Sequence, residues 1–178
     1  MKKITLSISV LFIALTVFSQ GKFKQPILIT SAGQSADVKL AKLLAKKQEL
    51  NAETKLMAKD ADLSGVKTLI IVPGFSSKGL GAAGISQEDE IKRVKALIKK
   101  ANTLNIPIIM MHLGGVARRG GQSDDFCKIS AENSKNMIVV KQGNEDDFFT
   151  KIAKAKKIPI KEVNRISDAA VPMGELFK

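Results

Sequence analysis

The chain has 178 residues, 44% of them hydrophobic and 26% charged, a balance that excludes a mainly disordered or low-complexity polymer. One His and one Cys exclude an internal disulfide and any zinc or iron–sulfur site built from His and Cys clusters. Lys and Arg number 29 against 17 Asp and Glu, giving a formal charge of +12, yet Trp and Tyr are absent, so nucleic acid is not the expected partner.

Met1-Lys2-Lys3 is a short basic lead, and Ile4 to Phe18 is almost wholly apolar. Val17 and Ser19 suit the positions before a cleavage point, so residues 1–20 read as a secretory signal peptide. The apolar run is shorter than the roughly 20 residues of a spanning helix. The mature chain, from about Gly21, is therefore expected to be extracytoplasmic, periplasmic or secreted, with no stable membrane insertion after cleavage. Loss of Lys2 and Lys3 lowers the charge from +12 to +12 − 2 = +10. No repeat or linker divides residues 21–178, which read as a single α/β domain.

Ile27-Leu28-Ile29-Thr30 reads as the first strand, and Ser35 is placed to cap a helix running to about Leu50. Ala52 to Ala58 alternates small or apolar with polar residues, as an edge strand does. Leu69-Ile70-Ile71-Val72 reads as a strand buried on both faces. A long loop is expected over 75–85. Ser86-Gln87-Glu88-Asp89 then opens a helix to about Leu104, with Ile91, Val94, Leu97, Ile98 and Ala101 on one face. Further strands are expected over 106–111 and 137–140. Helices are expected from Ser123 and from Asn144, with an edge strand and a short helix in the tail. Cys127, among apolar neighbours, reads as a buried, inert thiol. Strands and helices alternating in this way predict a three-layer, flavodoxin-like α/β sandwich, a parallel sheet of about five strands with helices on both faces.

Ligands in open parallel sheets sit beyond the carboxyl ends of the strands. Four loops there carry the only His, a pair of Arg, several hydroxyls and most of the glycines. The expected ligand-binding set is Ser31, Gln34, Ser35, Ser76, Ser77, Lys78, His112, Gly114, Gly115, Arg118, Arg119 and Ser123. Glycine admits close backbone approach, Arg offers a planar fork for carboxylate or phosphate, and helix starts add positive dipole ends. The expected partner is a small anionic or polar molecule, with no cofactor and no metal. A hydrolase or transferase using His112 with Ser31, Ser76 or Asp124 is the alternative, although no G-x-S-x-G elbow is present. A surface protein whose basic face binds polyanions is a further alternative.

Sharper motifs fail on context. Gly79-Leu80-Gly81-Ala82-Ala83-Gly84 matches G-x-G-x-x-G but does not directly follow a strand. Gly74 to Gly79 has P-loop spacing, but Leu80 stands where the Lys belongs. Met110-Met111-His112 places consecutive strand residues on opposite faces, which disfavours joint copper binding.

The runs Ile29 to Ser35, Ser77 to Ile85 and Met111 to Gly115, with Arg118-Arg119-Gly120, Ser123-Asp124, Phe148-Phe149 and Ile158-Pro159, resemble an uncharacterised family of small exported bacterial α/β proteins. The resemblance spans the mature chain. It implies export and one domain, implies no activity, and directs attention to the loop carrying His112, Arg118 and Arg119.

Overall fold

The computed structural model describes residues 23–178, and the expected signal peptide lies outside the described residues. Strands β1 (Ile27–Ala32), β2 (Ala52–Thr54), β3 (Thr68–Pro73), β4 (Ile108–His112), β5 (Asn136–Val140) and β6 (Ile160–Val163) form one parallel sheet in the order β2-β1-β3-β4-β5-β6. Its helices are α1 (Val38–Lys47), α2 (Ser77–Ala83), α3 (Gln87–Thr103), α4 (Gly121–Glu132), α5 (Phe148–Lys156) and α6 (Ala170–Glu175).

The continuous aliphatic runs are central because both of their faces are covered. Ile27, Ile29, Ile70, Val72, Ile109 and Met111 pack with Val38, Ala41 and Leu44 of α1 and Met173 of α6. Leu28, Leu69, Ile71 and Ile108 point the other way, onto Val94, Leu97 and Ala101 of α3. Met110, Met137 and Val139 meet Cys127 of α4 and Phe149 of α5 on that same side. The chain steps outward from β1 to β2 across α1, then reverses through β3, β4, β5 and β6 across α3, α4 and α5. Right-handed crossovers put those two directions on opposite faces, which yields the flavodoxin-like three-layer sandwich that the alternation predicts.

Several local expectations are corrected. The sheet has six strands rather than about five. The sixth, β6, is the edge strand expected in the tail; it exposes Lys161 and Glu162 and so has no apolar run to fix its bounds. The expected strand over 52–58 shrinks to Ala52–Thr54, and Ala58 instead packs in the α3 layer. The expected loop over 75–85 contains α2, capped by Ser76 Oγ, which accepts from Gly79 N at 3.1 Å, and ended by Gly84 at φ 67°. Its two interior glycines weaken helix propensity and hide it from the sequence. Helix α4 starts at Gly121, two residues before Ser123. Helix α3 opens as expected: Ser86 Oγ accepts from Asp89 N at 3.1 Å, and the Asp89 carboxylate accepts in return from Ser86 N and Oγ.

Candidate functional site

The loops expected to carry a site all lie at the carboxyl rim, but the crevice between β1 and β3 is filled by the chain itself. That crevice, where the winding direction reverses, is the usual ligand position in open parallel sheets. Here Gly74 N donates to Ala32 O and Ser76 N donates to Gly33 O, each at 2.8 Å, while Gln34 and Phe75 form an antiparallel bridge. Gly33 (φ 97°) would bring a Cβ within 2.6 Å of Gly74 O, and a Cβ on Gly79 would lie 2.2 Å from Gln34 O. These glycines admit backbone rather than ligand, and the G-x-G-x-x-G run lies largely within helix α2.

A buried ion pair fixes this closure from below. Glu90 of α3, fully buried, accepts from Gly33 N and Gln34 Nε2, both at 2.9 Å. Arg93, one turn on, grips the same carboxylate through Nε and Nη2, each at 2.7 Å. Arg93 also donates to Ala58 O at 2.8 Å and to Ser31 O at 2.6 Å. The sequence reading missed this pair, although Glu90 and Arg93 flank the apolar Ile91 and Val94 at a spacing that puts both on one helix face.

The expected site residues are accordingly divided. Ser76 caps α2, Ser35 Oγ accepts from Asp37 N, and Ser123 Oγ accepts from Phe75 N, tying α4 to the β3 loop. Gln34 is committed to Glu90, while Ser77 and Lys78 are exposed in the first turn of α2. The Ser31 hydroxyl is buried without a hydrogen-bond partner.

His112 ends β4 fully buried. Its Nε2 lies 3.1 Å from Gly115 O, which can only accept, so Nε2 carries the proton. Nδ1 faces the Cys127 thiol at 3.7 Å, and the ring stacks at 4.9 Å on Phe149. A Cβ at residue 143 would strike this imidazole at 2.5 Å, which explains Gly143. Burial lowers the His112 pKa from 6.5 to about 4, and burial pushes the Cys127 thiol up, so both groups are neutral at pH 7. No hydrogen bond joins His112 to Ser31, Ser76 or Asp124, so the Ser–His–Asp arrangement is not assembled here.

Arg119 is likewise turned inward, with its side chain 10% exposed. It pairs with Asp124 at 2.7 Å and Asp146 at 2.8 Å, donates to Gly143 O, and lies 4.3 Å above the Phe148 ring. Burial opposes its charge, but the hydrogen bonds it donates to Asp146 and Asp124 outweigh that and raise its pKa. Reciprocally, the Arg119 hydrogen bond holds the Asp146 carboxyl down at about 2. The two adjacent arginines therefore differ: Arg119 is internally saturated, whereas Arg118 reaches a surface cleft.

That cleft, of about 440 Å³, lies between the carboxyl ends of β4, β5 and β6, with Asp37, Gly114, Arg118, Gln142, Asn164 and Arg165 on its walls. Arg118 Nη1 donates to Phe75 O at 3.1 Å, and its Nε stands 3.5 Å from Asp37 Oδ2. Beyond this ion pair, that buried Asp37 oxygen has no hydrogen-bond partner among the described residues. Gly114 makes the juxtaposition, since a Cβ there would lie 2.0 Å from Arg118 Cγ and 2.5 Å from Asp37 Oδ2. Of the expected binding set, Gly114, Gly115 and Arg118 line the cleft; Asp37, Gln142, Asn164 and Arg165 were missed. Asn164 and Arg165 follow β6 directly, so fixing the bounds of the expected tail strand would have found them. Among the described residues, no group of three or more His, Cys, Asp or Glu side chains is placed to hold a metal ion.

Solved structures with a similar chain course include a flavodoxin mutant from Pseudomonas aeruginosa, at 12% identity and a TM-score of 0.42, covering 74% of this chain and 98% of that one. A GDSL-like lipase from Bacteroides thetaiotaomicron aligns at 10% identity and a TM-score of 0.37, covering 76% of this chain and 66% of the lipase. A psychrotrophic esterase from Pseudoalteromonas sp. aligns at 15% identity and a TM-score of 0.34, over 77% and 76% of the two chains. No functionally curated protein matches. The model of a domain of unknown function, DUF6305, matches residues 24–177, and the chain belongs to that family.

Proposed function

We propose that this protein, exported and freed of residues 1–20, binds a small polar molecule bearing a carboxylate in the cleft at the carboxyl ends of β4, β5 and β6. The observation that carries the reading is a wall that brings the exposed Arg165 together with the loose Arg118–Asp37 ion pair, 3.5 Å from Nε to Oδ2, in one cleft. At 3.5 Å Arg118 Nε leaves Asp37 Oδ2 short of a hydrogen bond, and a ligand hydroxyl or ammonium would supply one once Arg118 turns to the ligand carboxylate. Arg165, exposed and in no ion pair among the described residues, supplies the fork for the carboxylate, and Arg118 adds a second positive charge. The ligand class is thus a hydroxy acid or an amino acid. Residues 1–20, with their basic lead and apolar run, support the export half of the reading.

Thermal-shift measurements with panels of hydroxy acids and amino acids test the cleft. At least one compound should raise the melting temperature of the unaltered protein, and Arg165→Ala should abolish that rise without lowering the ligand-free value. A panel with no effect, or a shift that survives Arg165→Ala, overturns the reading.

A further inference from the structure

The amino rim of the sheet carries a second, larger groove, of about 790 Å³, with Lys24, Lys67, Lys135, Lys156, Lys157 and Glu132 among its lining residues. All five lysines are exposed, and none forms a salt bridge with a described residue. Lys156 and Lys157 close α5, where the negative end of the helix dipole accounts for cations. Lys135 follows the carboxyl end of α4 by three residues and shares that explanation, whereas Lys24 and Lys67 precede β1 and β3 and follow no α-helix end so closely among the described residues. Like charges gathered without counterions repel one another, so their convergence on one concavity favours an anionic occupant.

We propose that this groove binds a linear anionic polysaccharide of the polyuronate type. Among the described residues the lining cations are all lysines, which act as point charges, with no arginine fork of the kind suited to bidentate phosphate. Among the described residues Phe23 is the one aromatic in the lining, and its ring is engaged with Phe177 at a centroid distance of 6.2 Å, so these residues offer no open platform for stacking bases. Glu132 stands among the lysines as an acceptor for sugar hydroxyls and as a repulsive element against densely charged phosphate chains. The concave form suits a strand lying in it better than a flat bilayer. This surface is separate from the cleft at the carboxyl rim and does not depend on it.

Calorimetric titration of the whole protein with a mannuronate hexamer tests the proposal. Binding is expected at low salt and should weaken as salt rises. The triple variant K67A/K135A/K157A should weaken it about tenfold or more, while K39A/K42A/K46A, an equal charge loss on exposed α1 positions, should hold it within about twofold. Arg165→Ala should leave the titration unchanged, which separates this surface from the hydroxy-acid cleft. The proposal fails if the hexamer does not bind at low salt, if the α1 variant loses as much, if a neutral dextran binds equally well, or if single-stranded DNA of matched charge binds more tightly.

Discussion

The two rims of the sheet handle charge in opposite ways. At the carboxyl rim, Arg93 pairs with Glu90, Arg119 with Asp124 and Asp146, and Arg118 with Asp37, which leaves Arg165 as the arginine there without an ion-pair partner among the described residues. At the amino rim, five lysines surround an open groove with none of them ion-paired among the described residues. The difference teaches that an arginine–glycine–histidine cluster in a loop is not by itself a receptor. When its donors meet the fold's own carboxylates and carbonyls, it is a clasp, and the free charge lies elsewhere.

The largest expected effect breaks the clasp at its deepest point. Arg93→Ala leaves the fully buried Glu90 carboxylate without its counterion, which should cost about 3–5 kcal/mol in urea unfolding. The double variant Glu90→Leu with Arg93→Met should recover a substantial part of that loss. A single-variant cost below about 1 kcal/mol would show that the pair is surface-like.

Next comes acid. Because the folded pKa of His112 is about 4 against 6.5 for the free side chain, the unfolded chain binds the proton first as pH falls. Stability attributable to this group is therefore fully present above pH 6.5, declines between 6.5 and about 4, and levels off below, a loss on the order of 3 kcal/mol. Urea midpoints measured across that window should show the slope, and His112→Gln should flatten it. An unchanged slope in the variant would assign the acid response to other groups.

Gly79→Ala should cost on the order of 1–3 kcal/mol, because the new Cβ would lie 2.2 Å from Gln34 O, whereas Gly81→Ala, with open space around it, should be neutral or stabilising. Equal effects at the two positions, measured by thermal unfolding, would remove the closed crevice from the account. The smallest effect belongs to the amino rim. K67A/K135A/K157A should change unfolding free energy by less than about 0.5 kcal/mol per site, since the side chains of these exposed lysines form no ion pair with a described residue. A large loss there would make the lysines structural and erase the contrast between the rims.

Much of the frame was legible in the sequence. The runs Ile27–Thr30, Leu69–Val72 and Met137–Val140 are strands because unbroken aliphatic stretches must be covered on both faces, and Ser86 with Asp89 announces α3 through local capping chemistry. Four-residue runs and helix periods are local, so one chain suffices to read them. Helix α2 escaped because glycine lowered the helix signal, and the bounds of the expected tail strand, β6, stayed open because exposure weakened the strand signal. The carboxyl-rim location of the glycine, arginine and histidine loops also followed from strand direction alone.

Which of those groups are free was settled only by distances between residues far apart in sequence. Arg118 and Arg119 are neighbours in the chain and equal in composition, yet one meets Asp146 and Phe148 while the other edges a cleft beside Asp37. His112 is a buried neutral ring because Gly143 leaves room for it and Cys127 and Phe149 enclose it. Lys67 and Lys135 share a groove because β3 and β5 start at the same edge of the sheet. A sequence fixes the charge and reach of each side chain, but whether a charge is spent or spare depends on what the fold brings within about 3 Å of it, since hydrogen bonds and ion pairs act only at that range.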